Sequence, residues 1–400
     1  MLERSDVCRW LKAEGFRAKP RSGEYVSDVD VLLTTIQRSN DVDYADSLAG
    51  YKRGLYEIDG RRVLVKDSPT LIEPARGDWP QLRGIISFML GPQQEVYFFG
   101  WLKIAVQSLY GSKFRVGQAL ALAGPKNCGK SLLQNLITRI LGGRSTKPHR
   151  YMNGETSFNG DLFGSEHLMI EDEEASTDIR ARRNFGTKIK EITANETHSC
   201  HAKYRPAISL RPFWRLTISI NDEPENLMIP PIDESLEDKL IILKAEKHVM
   251  PMPTETNEER ELFIGTLHSE LPHFIEFLLN FEIPVHLRSQ RYGISHYQHP
   301  EILEALGALA PETKLLDLID TTLFDSPAPG VWEGSAAELE RQLTKDSSQV
   351  RREAVQLLSF SAACGTYLGR LQKTHQKRIK HIHTRGGNCW QISPPENVTA

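Results

Sequence analysis

The sequence predicts an α/β protein: a core built on a parallel sheet, preceded by a mixed α/β region and followed by a winged helix-turn-helix. Three observations carry that expectation. Residues 119–122 form an apolar run that passes through a glycine-bracketed loop into the helical pattern Leu132, Leu133, Leu136, Ile137, Ile140. Two later runs, 167–170 and 215–220, are strand-like and each opens into polar residues. Near the end, helical segments are followed by a hairpin signal around Gly386-Gly387.

With 400 residues there is chain for two or three domains and a sizeable core. We expect a mixed region at 1–78, a core at 79–247, a helical lid or linker at 248–310 and a winged domain at 311–400. No apolar stretch approaches the roughly 20 residues of a membrane span, so no membrane partner is expected. The charged start, MLERSDVCRWLKAEG, lacks the apolar centre of an export signal. Five scattered cysteines without a C-x-x-C suit a reducing cytoplasm and no structural zinc. A net charge of −3 excludes a globally basic surface, so any nucleic-acid contact must be local.

Taken in order, residues 7–11 and 31–36 read as helices of a small first unit. Residues 55–58 and 63–65 read as strands around the turn Asp59-Gly60. Helical pattern returns at 82–90 and 95–110, where Trp79, Phe98, Phe99 and Trp101 are read as packing residues.

The loop Gly124-Pro125-Lys126-Asn127-Cys128-Gly129-Lys130-Ser131 matches G-x-x-x-x-G-K-[ST] between a strand and a helix. Such a loop curls its backbone N–H groups around a phosphate, and the helix N-terminus adds its positive end. Lys130 would reach the β- and γ-phosphates of ATP, and Ser131 would ligate Mg²⁺. By chance a chain of this length would match on the order of once in a hundred, on average residue usage. About forty residues on, the strand 167–170 runs straight into Glu171-Asp172-Glu173-Glu174. Carboxylates packed so closely need a cation to offset them. Glu171 and Asp172 are the expected Mg²⁺ and water-activating acids, with Glu173 next. The strand 215–220 ends in Asn221, placed to hydrogen-bond an attacking water or the terminal phosphate.

Two basic regions suit DNA. Residues 196–214 alternate polar and apolar and break at Arg205-Pro206, as a hairpin does. Lys203 and Tyr204 at its tip offer a charge for phosphate and a ring for a base. In the last hundred residues, helices are read at 314–324, at 336–343 behind a Ser335–Glu338 capping box, and at 362–373. The last helix and the wing carry Arg370, Lys373, Lys377, Arg378, Lys380 and Arg385, with no acid between Cys364 and Arg385. His286, His296 and His299 lack metal-ligand spacing and are read as surface or hinge residues.

Taken together, GPKNCGKS, MIEDEE, the basic hairpin and LTISIN resemble motifs A, B, B′ and C of superfamily 3 helicases. The nearest likeness is to the phage and plasmid primase-helicase type, related to the poxvirus primase-helicase. It covers about 79–247 well and the β-rich segment before that moderately. The resemblance implies a P-loop NTPase core of the AAA+ class, in a ring-shaped, usually hexameric motor. Such a motor hydrolyses ATP with Mg²⁺ and moves on single-stranded DNA to unwind duplex. It implies that Lys203 and Tyr204 sit on the pore hairpin and that Asn221 is the sensor. It also implies an arginine finger after motif C, and here the sequence departs: between Asn221 and Lys239 there is no Lys or Arg. Lys239 is the first candidate and Arg115 or Lys113 the alternatives; a lysine lacks the bidentate fork of arginine.

A helicase of a phage or mobile-element replication system is therefore the first reading. An ATP-gated DNA-binding initiator or regulator without processive unwinding is the second, and the missing arginine is its best support. A nucleotide kinase fits poorly, since nothing resembles an arginine-rich acceptor lid. No paired-acid D-x-D with a partnering His is visible, so a primase or polymerase activity is expected from a separate partner.

Overall fold

The structure, a computed structural model, describes residues 4–40, 42–171, 179–221, 229–230, 232–308, 310–326, 329–384 and 387–395. They divide into two compact units. The first holds the described residues up to Asn221 together with Glu234–His299; the second holds those of Ile229–Asp233 and everything from Pro300 onward.

The first unit opens with helices α1 (Arg4–Ala13) and α2 (Asp28–Asn40), joined through Leu11, Val29 and Leu33. A small sheet follows: β1 (Tyr44–Asp46), β2 (Gly54–Ile58) and β3 (Arg61–Val65), in the order β1-β3-β2. Its turn, Asp59-Gly60, takes left-handed φ at both residues (50° and 74°), the tight turn whose twist matches that of paired strands. Helix α3 (Pro80–Tyr110) is broken at Gly91 (φ 68°, ψ 168°). Pro92 follows; it supplies no N–H, and its ring bars the helical conformation from the residue before it. That is why the sequence showed two helical patterns there.

The remaining elements build the central sheet and its cover. They are β4 (Ala119–Ala123), α4 (Lys130–Ile140), β5 (Ser145–Thr146), α5 (His149–Met152), β6 (His167–Ile170) and α6 (Ile179–Ala194). Then come the short ribbon β7 (His198–Cys200) and β8 (Ile208–Leu210), β9 (Arg215–Ile220), α7 (Glu234–Glu237), β10 (Leu240–Lys244) and α8 (Asn257–Asn280). The sheet runs β10-β4-β9-β6-β5, every pair parallel. All residues of β4, β6 and β9 are buried, including the polar His167, Arg215, Thr217 and Ser219, as expected of the inner strands of a parallel sheet. Leu120 and Leu122 of β4 and Ile241 and Leu243 of β10 pack with α3, α4 and α8, so α8 belongs to this core. Glu270 of α8 accepts from the N–H groups of Gln81 and Leu82 (3.1 and 2.8 Å), a carboxylate set on the positive end of α3.

The outer edge of β10 is not left open. Gln94 pairs with Lys244 through both amide atoms (2.7 and 3.0 Å), and Ile242 exchanges backbone bonds with Tyr297 and His299 (2.7 and 3.0 Å). Covering an edge strand this way removes a template for unwanted pairing.

The second unit contains α9 (Pro300–Ala308), α10 (Pro311–Leu323), β11 (Trp332–Gly334), α11 (Ala336–Leu343), α12 (Arg351–Leu357), α13 (Ala363–Thr374), β12 (Ile379–Thr384) and β13 (Gly387–Ile392). The strands form an antiparallel sheet β11-β13-β12. The Ser335–Glu338 box closes, with Ser335 N donating to Glu338 (2.7 Å) and Glu338 N to Ser335 Oγ (3.2 Å). Helix α12 and strand β11 are additions to the reading from sequence. Both are short, seven and three residues, and too brief to show a period.

Candidate functional site

The site is assembled at the carboxyl ends of β4, β9 and β6, which is where ligands bind in open parallel sheets. From Ala123 the chain enters the loop 124–129 and leaves it as α4. Gly124 N donates to Ile220 O (3.1 Å), and Ala245 N donates to Ala123 O (2.7 Å), so the loop starts between two neighbours. A Cβ at Gly124 would stand 2.2 Å from the Ala245 carbonyl oxygen, so only glycine fits. Gly129 (φ 96°) and Asn127 (φ 62°) take left-handed φ, which turns the backbone back toward the helix start. Helix α4 has no side-chain cap and no acid in its first turn, so neither offsets the positive end of the helix.

Lys130, the first residue of α4, is 7% exposed. Its ammonium donates to Gly124 O (2.5 Å), Pro125 O (3.0 Å) and Asn221 Oδ1 (3.4 Å), all neutral oxygens. Asn221 is buried at the end of β9, the strand beside β4. Glu171 follows β6 on the far side of β9 and holds an ion pair with Lys147. Lys130, Asn221 and Glu171 thus stand along one edge of the sheet. Asp172 and Glu173 lie outside the described residues. Among the described residues there is no group of three metal-ligating side chains.

Beneath that edge lies a polar ring that the sequence reading missed. Gln134 Nε2 donates to Ile170 O (3.2 Å) and Thr217 Oγ1 (2.9 Å). His167 stands 2.7 Å from both Thr138 Oγ1 and Thr217 Oγ1, and Thr138 donates to Gln134 O (3.1 Å). One tautomer satisfies the set. Thr138 has spent its proton, so His167 Nδ1–H donates to it; Nε2 then accepts from Thr217, which accepts from Gln134. Full burial pushes the His167 pKa down to about 3, so the ring is neutral. These bonds tie α4 to β6 and β9, and thereby fix Lys130, Glu171 and Asn221 relative to one another. The available signal was polar side chains inside runs that otherwise read as apolar strands.

Lys239, Lys113 and Arg115 are not brought to this edge. Lys239 O accepts from Ala119 N (2.9 Å) at the amino end of β4, and its ammonium pairs with Asp238 (2.6 Å). Lys113 and Arg115 precede β4, where their backbone groups bond Ser108 Oγ. All three lie at the opposite edge of the sheet from the loop of their own chain.

The ribbon β7–β8 carries the tip residues Lys203 and Tyr204. Tyr204 is 91% exposed with φ 63°, and the Lys203 ammonium sits 5.1 Å from its ring centre. Asn159 grips the ribbon through Ser199 O (2.9 Å) and His201 N (2.7 Å). In the second unit Lys373, Lys377 and Lys380 are exposed. Arg378 is a correction to the expected DNA face. Its guanidinium binds Asp320 with two nitrogens (2.5 and 3.2 Å) and Ser393 O (3.2 Å), so it is spent inside the unit. Arg370 pairs with Glu312 (3.3 Å) but stays half exposed. Arg385 lies outside the described residues.

A model for DUF5906, described as a family of unknown function, matches residues 122–239. No curated protein matches. Among solved structures, the chain is similar to the apo C-terminal region of NrS-1. One form has a TM-score of 0.51 at 14% identity, covering 97% of this chain and 99% of that one; a second, of residues 305–718, has 0.50 at 14%, covering 99% and 100%. The chain therefore shares its fold with that region over nearly its whole length. A JCV helicase with a bound substituted acetamide matches at a TM-score of 0.30 and 13% identity, covering 62% of this chain and 64% of that one; at that score the likeness carries no weight. Among the described residues no helix is long and apolar enough to cross a membrane.

Proposed function

We propose that the chain is an ATP-driven DNA helicase whose nucleotide site is the loop 124–131. The observation that carries this reading is Lys130 meeting Asn221 at the carboxyl edge of a parallel sheet, with Glu171 one strand further. The loop is a phosphate-binding P-loop: backbone and uncapped helix start face the phosphates, and Lys130 leaves its carbonyl partners for the β- and γ-oxygens. A buried ammonium whose partners among the described residues are neutral oxygens fits a site built for an anion. Asn221 orients the attacking water, and the acids after β6 accept its proton.

Ser131 and Glu171, with Asp172, would hold Mg²⁺, which when bound neutralises charge developing on the phosphates. The pairing of Glu171 with Lys147 fits this, because that carboxylate already faces a cation. On the same reading, the ribbon carrying Lys203 and Tyr204 contacts single-stranded DNA, and the second unit is a winged helix whose Lys373, Lys377 and Arg370 meet duplex. The chain would act as a hexameric ring, alongside a primase or polymerase supplied separately.

One observation favours a second reading, an ATP-gated initiator or regulator without processive unwinding. The nearest cation after Asn221, Lys239, is mostly buried and paired with Asp238, which also binds Arg291 (3.0 Å). Unwinding of a forked duplex separates the two. Wild type should unwind with ATP and Lys130→Ala should not; ATP-dependent DNA binding without unwinding would select the second reading.

A further inference from the structure

The nucleoside half of this site has a direction set by the strand order. Asn221 and Glu171 mark the terminal-phosphate end, and both lie on the β9–β6 side of β4. The sugar and base must leave on the other side, toward β10. There the chain continues past Lys244 between the loop and α3: Ala245 N donates to Ala123 O (2.7 Å) and Glu246 N to Met89 O (2.9 Å). A Cβ built on Gly129 would lie 2.8 Å from Met89 Cε, 3.6 Å from Met250 Cε and 3.9 Å from His248 Cε1. Two thioethers and an imidazole therefore share one corner beside the loop. Thioethers are unbranched and adaptable, and they part readily around a flat ring.

His248 has an unmet need. Its Nε2 is shut off from solvent with no hydrogen-bond partner among the described residues. Its Nδ1 lies 3.2 Å from Glu246 O. A carbonyl can only accept, so Nδ1 carries a proton, and in the neutral imidazole Nε2 then presents a lone pair. A buried acceptor without a donor is a cost that a ligand donor would relieve.

Resting on the nucleotide reading above, we propose that His248 selects the base: its Nε2 accepts from the 6-amino group of adenine, between the Met89 and Met250 side chains. A 6-oxo purine sets an acceptor against an acceptor at the same point and is disfavoured.

The test is calorimetric binding of ADP and of inosine diphosphate, which differ at the 6-position, to the full chain with Mg²⁺. Wild type should prefer ADP by about five- to tenfold, the worth of one such bond. His248→Ala should bring the ratio within twofold by weakening ADP alone. His248→Gln, which keeps an acceptor, should retain part of the preference. Equal binding by wild type, an unchanged ratio in His248→Ala, or equal losses for both ligands would overturn the assignment. Lys130→Ala tells that failure apart: if it abolishes binding of both diphosphates, the phosphate site stands and only the base assignment falls. If wild type binds neither, both fall.

Discussion

The ammonium of Lys130 lies 3.4 Å from the amide oxygen of Asn221, although the two residues are 91 positions apart. They meet because β4 and β9 are parallel neighbours, in register from Leu120 with Thr217 to Ala123 with Ile220, so their following residues share one edge. Removing the cation from this meeting point should be severe. Lys130→Ala should lower ATP turnover at least a hundredfold, the usual scale for a preorganised electrostatic contact. The fold should survive, since the neighbouring loop residues Lys126 and Asn127 are exposed and water can take the place of the lost ammonium. A steady-state phosphate-release assay checks this; turnover within threefold of wild type would remove Lys130 from the site.

The buried His167 makes stability depend on pH in a defined window. In the unfolded chain its ring binds a proton near pH 6.5. In the fold it does so only at about 3. Between those values the unfolded state holds the extra proton, so this residue makes stability fall as pH falls, by up to about 1.4 kcal/mol per pH unit. Below about 3 the contribution flattens. Urea midpoints from pH 7 to 4 should therefore converge for wild type and His167→Gln, the variant being weaker at pH 7. Parallel curves would contradict the neutral, donor-and-acceptor role assigned to the ring.

Glu166 is fully buried and binds Arg144 together with the N–H of Gly50 (2.7 Å), joining the segment before β2 to the sheet. Breaking a buried pair strands its other charge. Glu166→Ala should cost about 3 kcal/mol or more. Chemical denaturation reads it directly, and a loss under 1 kcal/mol would show that the pair is solvated.

The two expected DNA surfaces should respond differently. Tyr204→Ala should weaken single-strand binding by about 1–3 kcal/mol, while Lys203→Ala should lower the salt slope by about one unit. Neither should change ATP turnover without DNA. In the second unit, Lys373→Ala and Lys377→Ala should weaken duplex binding with stability within about 0.5 kcal/mol of wild type. Arg378→Ala should instead destabilise the unit by about 1–3 kcal/mol, because it removes charged hydrogen bonds. Fluorescence anisotropy with melting curves separates the two outcomes.

Much of the fold could be read from periodicity. The strand β4 is an apolar run, β6 and β9 are mainly apolar strands that lead into polar residues, and the break in α3 is announced by Gly91-Pro92. The Ser335–Glu338 box needs only local geometry. What stayed hidden depends on partners far apart in the chain. Arg378 looked like one more cation in a basic run, and only the fold brings Asp320 to it, 58 residues earlier. Gln134, Thr138 and Thr217 are unremarkable singly and gain meaning when α4 lies over β6 and β9. His248 sits in an irregular segment with no pattern, and its place beside Gly129 follows from where β10 ends.

If Asn221 acts on the terminal phosphate that Lys130 is proposed to bind, Asn221→Ala should separate nucleotide affinity from single-turnover ATP hydrolysis when the two are measured in parallel. ADP affinity should stay within about threefold of wild type while hydrolysis slows by about 10²–10³-fold, as for loss of one well-placed hydrogen-bonding group. Hydrolysis at the wild-type rate, with binding equally unchanged, would contradict that role.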